Sequence, residues 1–177
     1  LWAVMIINAG FFAGEVIAGW LSGSMGLLAD SLDMLADAFV YGLSLWVVGA
    51  AVARKKRVAA VSGYLQLFLA LMGLGEVVRR FFGAEVFPEF RTIIIVSVLA
   101  LIANSTSLVL LQKSRSKGEH VRASQICTSN DVIINAGIIV SGILVYYPRS
   151  PLPDLIVGSL VFGLVLWGAV KIIKLAK

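Results

Sequence analysis

The sequence predicts an all-α polytopic membrane protein, six transmembrane helices with both termini cytoplasmic, forming a single transmembrane domain over residues 1–177. Three observations predict it. Hydrophobic residues make up 59% of the chain and charged residues 14%, with a mean hydropathy of +0.95, whereas a soluble domain carries about 25% charged residues. The apolar residues gather into six segments, each long enough to cross a hydrocarbon core of about 30 Å. Lys and Arg then divide unevenly between the two sides. Arg54, Lys55, Lys56, Arg57, Lys113, Arg115, Lys117, Arg122, Lys171, Lys174 and Lys177 fall on one side, against Arg79, Arg80, Arg91 and Arg149 on the other. That asymmetry places the first side in the cytoplasm. It also accounts for the net charge of +5 without nucleic acid, which is not expected as a partner.

The segments fall at about 1–21, 25–52, 58–78, 92–111, 123–146 and 154–175. The first carries Asn8 and Glu15 and ends at a Ser22-Gly23-Ser24 turn; the second closes on the basic run Arg54–Arg57. The third ends on Arg79-Arg80, and a loop with Gly83, Glu85, Pro88 and Glu89 leads to the fourth. A polar loop from Lys113 to His120 precedes the fifth. Pro148, Pro151 and Pro153 then break the chain, and Asp154 is positioned to cap the sixth helix. Gly158, Gly163 and Gly168 suit close helix packing in that last segment. Glu15 and Glu76 are expected near outer helix ends, solvated or paired. The chain begins inside an apolar run, so a natural N-terminus is expected upstream.

One stretch breaks the apolar pattern. Asp30, Asp33 and Asp37 stand within Leu27–Asp37, spaced so that all three project from one helix face. A charge at the bilayer centre costs at least about 2.5–3.5 kcal/mol, so the face must look into a protein interior, a wet cavity or a cation. The fifth segment is the other polar one. Cys127 and Asp131 repeat the i, i+4 spacing of Asp33 and Asp37, and two such pairs on facing helices supply four ligands, enough for a tetrahedral cation site. Helix rise puts Asp37 and Asp131 level, each about 18 Å from the outer face. Asp33 and Cys127 then lie on either side. Asp30 sits a turn nearer the outside, as a pathway residue or a helix-terminus partner.

These residues resemble the cation diffusion facilitator family of transporters. Gly23–Asp37 is similar to its second-helix signature, in which a small-Leu-Leu-Ala-Asp lead-in precedes His or Asp, three residues, then Asp; Asp33 and Asp37 fall on the two ligand positions. Val121–Asp131 resembles the fifth-helix signature, with Cys127 where the family usually has His. Asn8, Glu15 and Asn104 also sit where members carry polar residues. Two departures stand out. Arg54–Arg57 replaces the family's His-rich loop, and the sequence stops before the cytoplasmic metal-binding domain that usually follows the sixth helix; the expectation is either a short member lacking that domain or a truncated chain. The resemblance implies a homodimer and export of a divalent metal by alternating access, driven by protons. A bacterial inner membrane is the expected location.

The ligand chemistry points the same way. Three carboxylates and a thiol cannot all carry charge side by side at low dielectric without a cation. A divalent metal needs deprotonated ligands, so metal entry is coupled to proton release. The thiolate of Cys127 favours zinc, with cadmium next, while the hard carboxylates pull toward oxygen-loving ions. The metal is cargo; no cofactor is expected. A carboxylate-lined cation channel or proton pathway is the competing reading. One cysteine excludes an internal disulfide and a multi-cysteine zinc motif. Neither HExxH nor GxSxG occurs, and an enzyme is not expected.

Overall fold

The computed structural model of the chain describes residues 2–46, 52–83, 86–113, 119–147 and 149–175. Within these ranges the side chains of Cys127, His120 and the Arg54-Lys55-Lys56 run lie outside the described set. Six helices follow in order: α1 Trp2–Ser22, α2 Met25–Trp46, α3 Val52–Phe81, α4 Phe90–Gln112, α5 Glu119–Tyr146 and α6 Leu152–Leu175. Among the described residues there are no strands.

Local chemistry sets the helix ends. At the close of α1, Gly23 takes φ +69°, a left-handed conformation that costs glycine little. Its N–H donates to the Trp20 carbonyl at 3.4 Å, and that of Ser24 to the Gly19 carbonyl at 3.0 Å. Those two bonds are the Schellman pattern that satisfies orphan carbonyls. At the start of α4, Glu89 accepts from the Arg91 N–H at 3.2 Å and the Thr92 N–H at 2.7 Å. The Thr92 hydroxyl bonds the same carboxylate, and that bond, ahead of the backbone ones, holds the Glu89 carboxyl below its ordinary range.

Helix α3 corrects the sequence reading. Its helix begins at Val52, so Arg54–Arg57 form its first turns rather than the tail of the second segment. Among the described residues, four helical stretches are long and apolar enough to cross a membrane: α1, α4, the Thr128–Tyr146 part of α5, and Leu152–Lys174 of α6.

The helices pack as pairs. Neighbours α1 and α2 form one hairpin and α4 and α5 another, while α3 pairs with α6 across the sequence. Helix α1 also packs on α4, and α2 on α5, so these four surround a common interior; α6 joins it through α2 and α5. Of the three sixth-helix glycines, a Cβ on Gly158 would lie 2.8 Å from the Met25 carbonyl carbon, whereas Gly163 and Gly168 face no atom within 4 Å. Only Gly158 serves close packing. The apolar core sits at that contact, around Met25, Leu27, Ile93, Ile138 and Phe162.

A polar interior between four helices

The buried stripe of α4 runs Ile93, Ser97, Ala100, Asn104, Ser107 and Leu111, the three-and-four spacing of a helix face. That of α1 runs Val4, Asn8, Glu15, Gly19 and Ser22. Both are core-facing faces with polar residues at core positions. By helix rise, Glu15 and Asn8 lie about 10 and 21 Å from the outer end of α1, and Ser97 and Asn104 lie equally far from the outer end of α4.

Glu15 and Asp30 are both 0% exposed. Their carboxyl groups lie within hydrogen-bonding reach of one another, yet none of the four oxygens has a donor among the described residues. Glu15 therefore departs from the expectation of a solvated or paired outer residue, because α2 and α4 cover it. Glu76 does follow that expectation, bonded to Arg79 and Arg80 at 2.7 and 2.8 Å.

Asp33 lies half-buried and Asp37 buried. Asp131 of α5 is 3% exposed, with its carboxyl in reach of Asp37 and its Oδ2 atom without a donor among the described residues. Asn135 donates to the Asp131 carbonyl at 2.9 Å. Among the described residues no group of three His, Cys, Asp or Glu side chains is arranged to hold a metal ion. Cys127 belongs to α5, but its side chain is outside that set, as is that of His120.

Tyr41 is a site neighbour that the sequence did not single out. It is fully buried, its hydroxyl donates to Asp37 Oδ2 at 3.1 Å, and it lies 2.9 Å from Thr128 Oγ1. Its position one turn beyond Asp37 on the same face was the available signal.

Among the described residues eleven buried polar atoms have no partner, on Asn8, Glu15, Asp30, Ser97, Asn104, Ser107, Asp131 and Asn135. Every one belongs to α1, α2, α4 or α5. An unsatisfied buried polar group costs about 1–3 kcal/mol, so a core built only for stability would not collect so many. Such an interior suits a mobile occupant: water, protons or a cation.

A family profile for the cation efflux transmembrane domain matches residues 1–176. The chain belongs to the cation efflux family. It is 32% identical over 188 residues, 98% of this chain and 58% of the relative, to the zinc transporter ZitB of Pectobacterium atrosepticum. It is 30% identical to ZitB of Escherichia coli, with 95% of this chain and 58% of the relative covered. A more distant relative is the metal cation efflux system protein CzcD of Cupriavidus metallidurans, 25% identical over 81% of this chain and 49% of the relative. The chain thus spans less than two thirds of these curated relatives. Cation efflux proteins are membrane transporters and not enzymes, which fits a buried polar interior and spanning helices.

Proposed function

We propose that the chain is the membrane domain of a secondary transporter that exports a divalent metal from the cytoplasm in exchange for protons. Zinc is the first cargo and cadmium the second. The observation that carries this reading is the approach of Asp131 on α5 to Asp37 on α2, two carboxyls from different helices facing each other inside the bundle. Like charges meet so closely only around a shared proton or cation. Exchanging one occupant for the other is the transport step. The names of the ZitB relatives support zinc.

Asp33, Asp37, Cys127 and Asp131 are the proposed ligands. The carboxylates offer hard oxygens, and the thiolate would shift preference toward zinc and cadmium. Asp30 with Glu15 lies nearer the outer end and serves the release route. Alternating access moves the ligand pairs on α2 and α5 relative to one another, so that the site opens to one side at a time. A homodimer in a bacterial inner membrane completes the proposal.

The test is zinc uptake into proteoliposomes carrying the full-length protein. Saturable uptake with opposite proton flow is expected, both lost in Asp37→Ala and Asp131→Ala. Ohmic zinc flux indifferent to the pH gradient would replace antiport by a channel. Cys127→Ser is expected to lower cadmium transport relative to zinc; an unchanged ratio removes the thiol from the ligand set.

A further inference from the structure

Tyr41 is the largest fully buried side chain among the described residues, and it lies at one end of the carboxylate column rather than in the main apolar core. It is about 6 Å along α2 from Asp37, on the side where the Lys and Arg clusters gather. Its ring packs with Val4 of α1 and Leu111 of α4, with Met5 at the edge. Its hydroxyl joins Asp37 of α2 at 3.1 Å and Thr128 of α5 at 2.9 Å. One side chain thus touches all four helices that enclose the polar interior.

Packing alone would be served by phenylalanine. A buried hydroxyl must find partners, and two of them are polar side-chain atoms, one on a proposed ligand and one on the residue following another. The hydrogen bond to Thr128 ties α2 to α5 at the cytoplasmic end. The bond to Asp37 couples that tie to the carboxylate inside. The ring fills the space between α1 and α4, which leaves no room there for an ion.

We propose that Tyr41 is the cytoplasmic gate of the transporter: a positioning residue whose ring plugs the inner end of the polar interior and whose hydroxyl latches α2 to α5. The proposal rests on the transport reading above. A metal arriving from the cytoplasm reaches Asp37 only after the Tyr41–Thr128 bond opens. A metal on Asp37 competes with the tyrosine hydroxyl for the same carboxylate, so loading and latching oppose each other. The structure described is the one closed on the cytoplasmic side.

Tyr41→Phe keeps the ring and removes the latch. A net hydrogen bond changes an equilibrium by about fivefold. Apparent affinity scales with the fraction of molecules in the binding-competent state, so the zinc KM from the cytoplasmic side falls by up to about fivefold. The rate at which a water-soluble carbodiimide added from that side labels Asp131, which lies deeper along α5 than Thr128, read by peptide mass spectrometry in metal-free full-length protein, rises by a similar factor. Thr128→Val removes the tie between α2 and α5 but leaves the Tyr41–Asp37 bond, so it gives changes of the same sign and no larger than those of Tyr41→Phe, and the double variant matches Tyr41→Phe. Unchanged KM and labelling in both single variants overturn the gate. A raised KM with unchanged labelling also overturns it, since Tyr41 would then only support Asp37 as a ligand. Failure of the wild-type protein to move zinc would sink the transport reading instead, and the labelling arm would still decide the latch.

Discussion

Two sets of buried carboxylates meet opposite fates in this protein. Asp154 is 1% exposed and fully engaged: its oxygens accept from the Ser24 hydroxyl at 2.6 Å, the Met25 N–H at 2.6 Å and the Gly26 N–H at 3.2 Å. Glu15 and Asp30 are equally buried and have no donor among the described residues. The difference lies in position along a helix. The first N–H groups of α2 have no intrahelical acceptor, and the positive end of the helix dipole favours an anion there. In mid-helix every N–H is already bonded, so a buried acid finds only other side chains. An acid with fixed partners holds the fold together, and one without them waits for a mobile partner.

The largest effect should separate the two sets by activity. Asp131→Ala is expected to bring zinc transport in proteoliposomes to background while the protein still elutes as a folded species in detergent. If transport survives, mid-membrane acids are not the working set. Next comes stability. Asp154→Ala strands three donors, and loss of charge-assisted bonds of this kind costs roughly 2–4 kcal/mol. Thermal unfolding in detergent should show it, with transport per folded molecule retained. The same joint can be broken by bulk: Gly158→Ala drives a methyl into the Met25 backbone, and such overpacking costs about 1–3 kcal/mol. Gly163→Ala, facing open space, should stay within about 0.5 kcal/mol of wild type.

The smallest effect on stability sharpens the contrast most. Glu15→Gln and Asp30→Asn each give one member of the pair an amide donor for the other, so melting temperature should hold or rise while zinc efflux falls. Asp154→Asn should do the reverse, since an amide retains less of the acceptor strength that three donors require. Equal behaviour of the two sets in melting and transport would end the comparison.

Much of this was legible in the sequence, and the reason is periodicity. Hydropathy gave six segments, because span length is a local property. Helical spacing put Asp33 with Asp37 on one face and Cys127 with Asp131 on another. Counting residues from helix ends brought Asp37 level with Asp131, the pairing on which the proposed ligand set rests. Helix rise is nearly constant, so depth in a membrane can be read from residue number.

What the tertiary structure decided is who partners whom. The sequence marked Asp154 as a cap for its own helix, α6, since it stands in the first turn. Instead it caps α2, 128 to 130 residues away in the chain, while Ser150 Oγ accepts from Leu152 N–H at 3.3 Å at the start of α6. Glu15 read as an outer, solvated acid and lies enclosed beside Asp30. Tyr41, which the sequence did not single out, joins α2 to α5. Residue spacing fixes which face a side chain occupies and how deep it sits. Which helix stands opposite that face depends on packing between segments far apart in sequence, and hydrogen-bond partners follow from that alone.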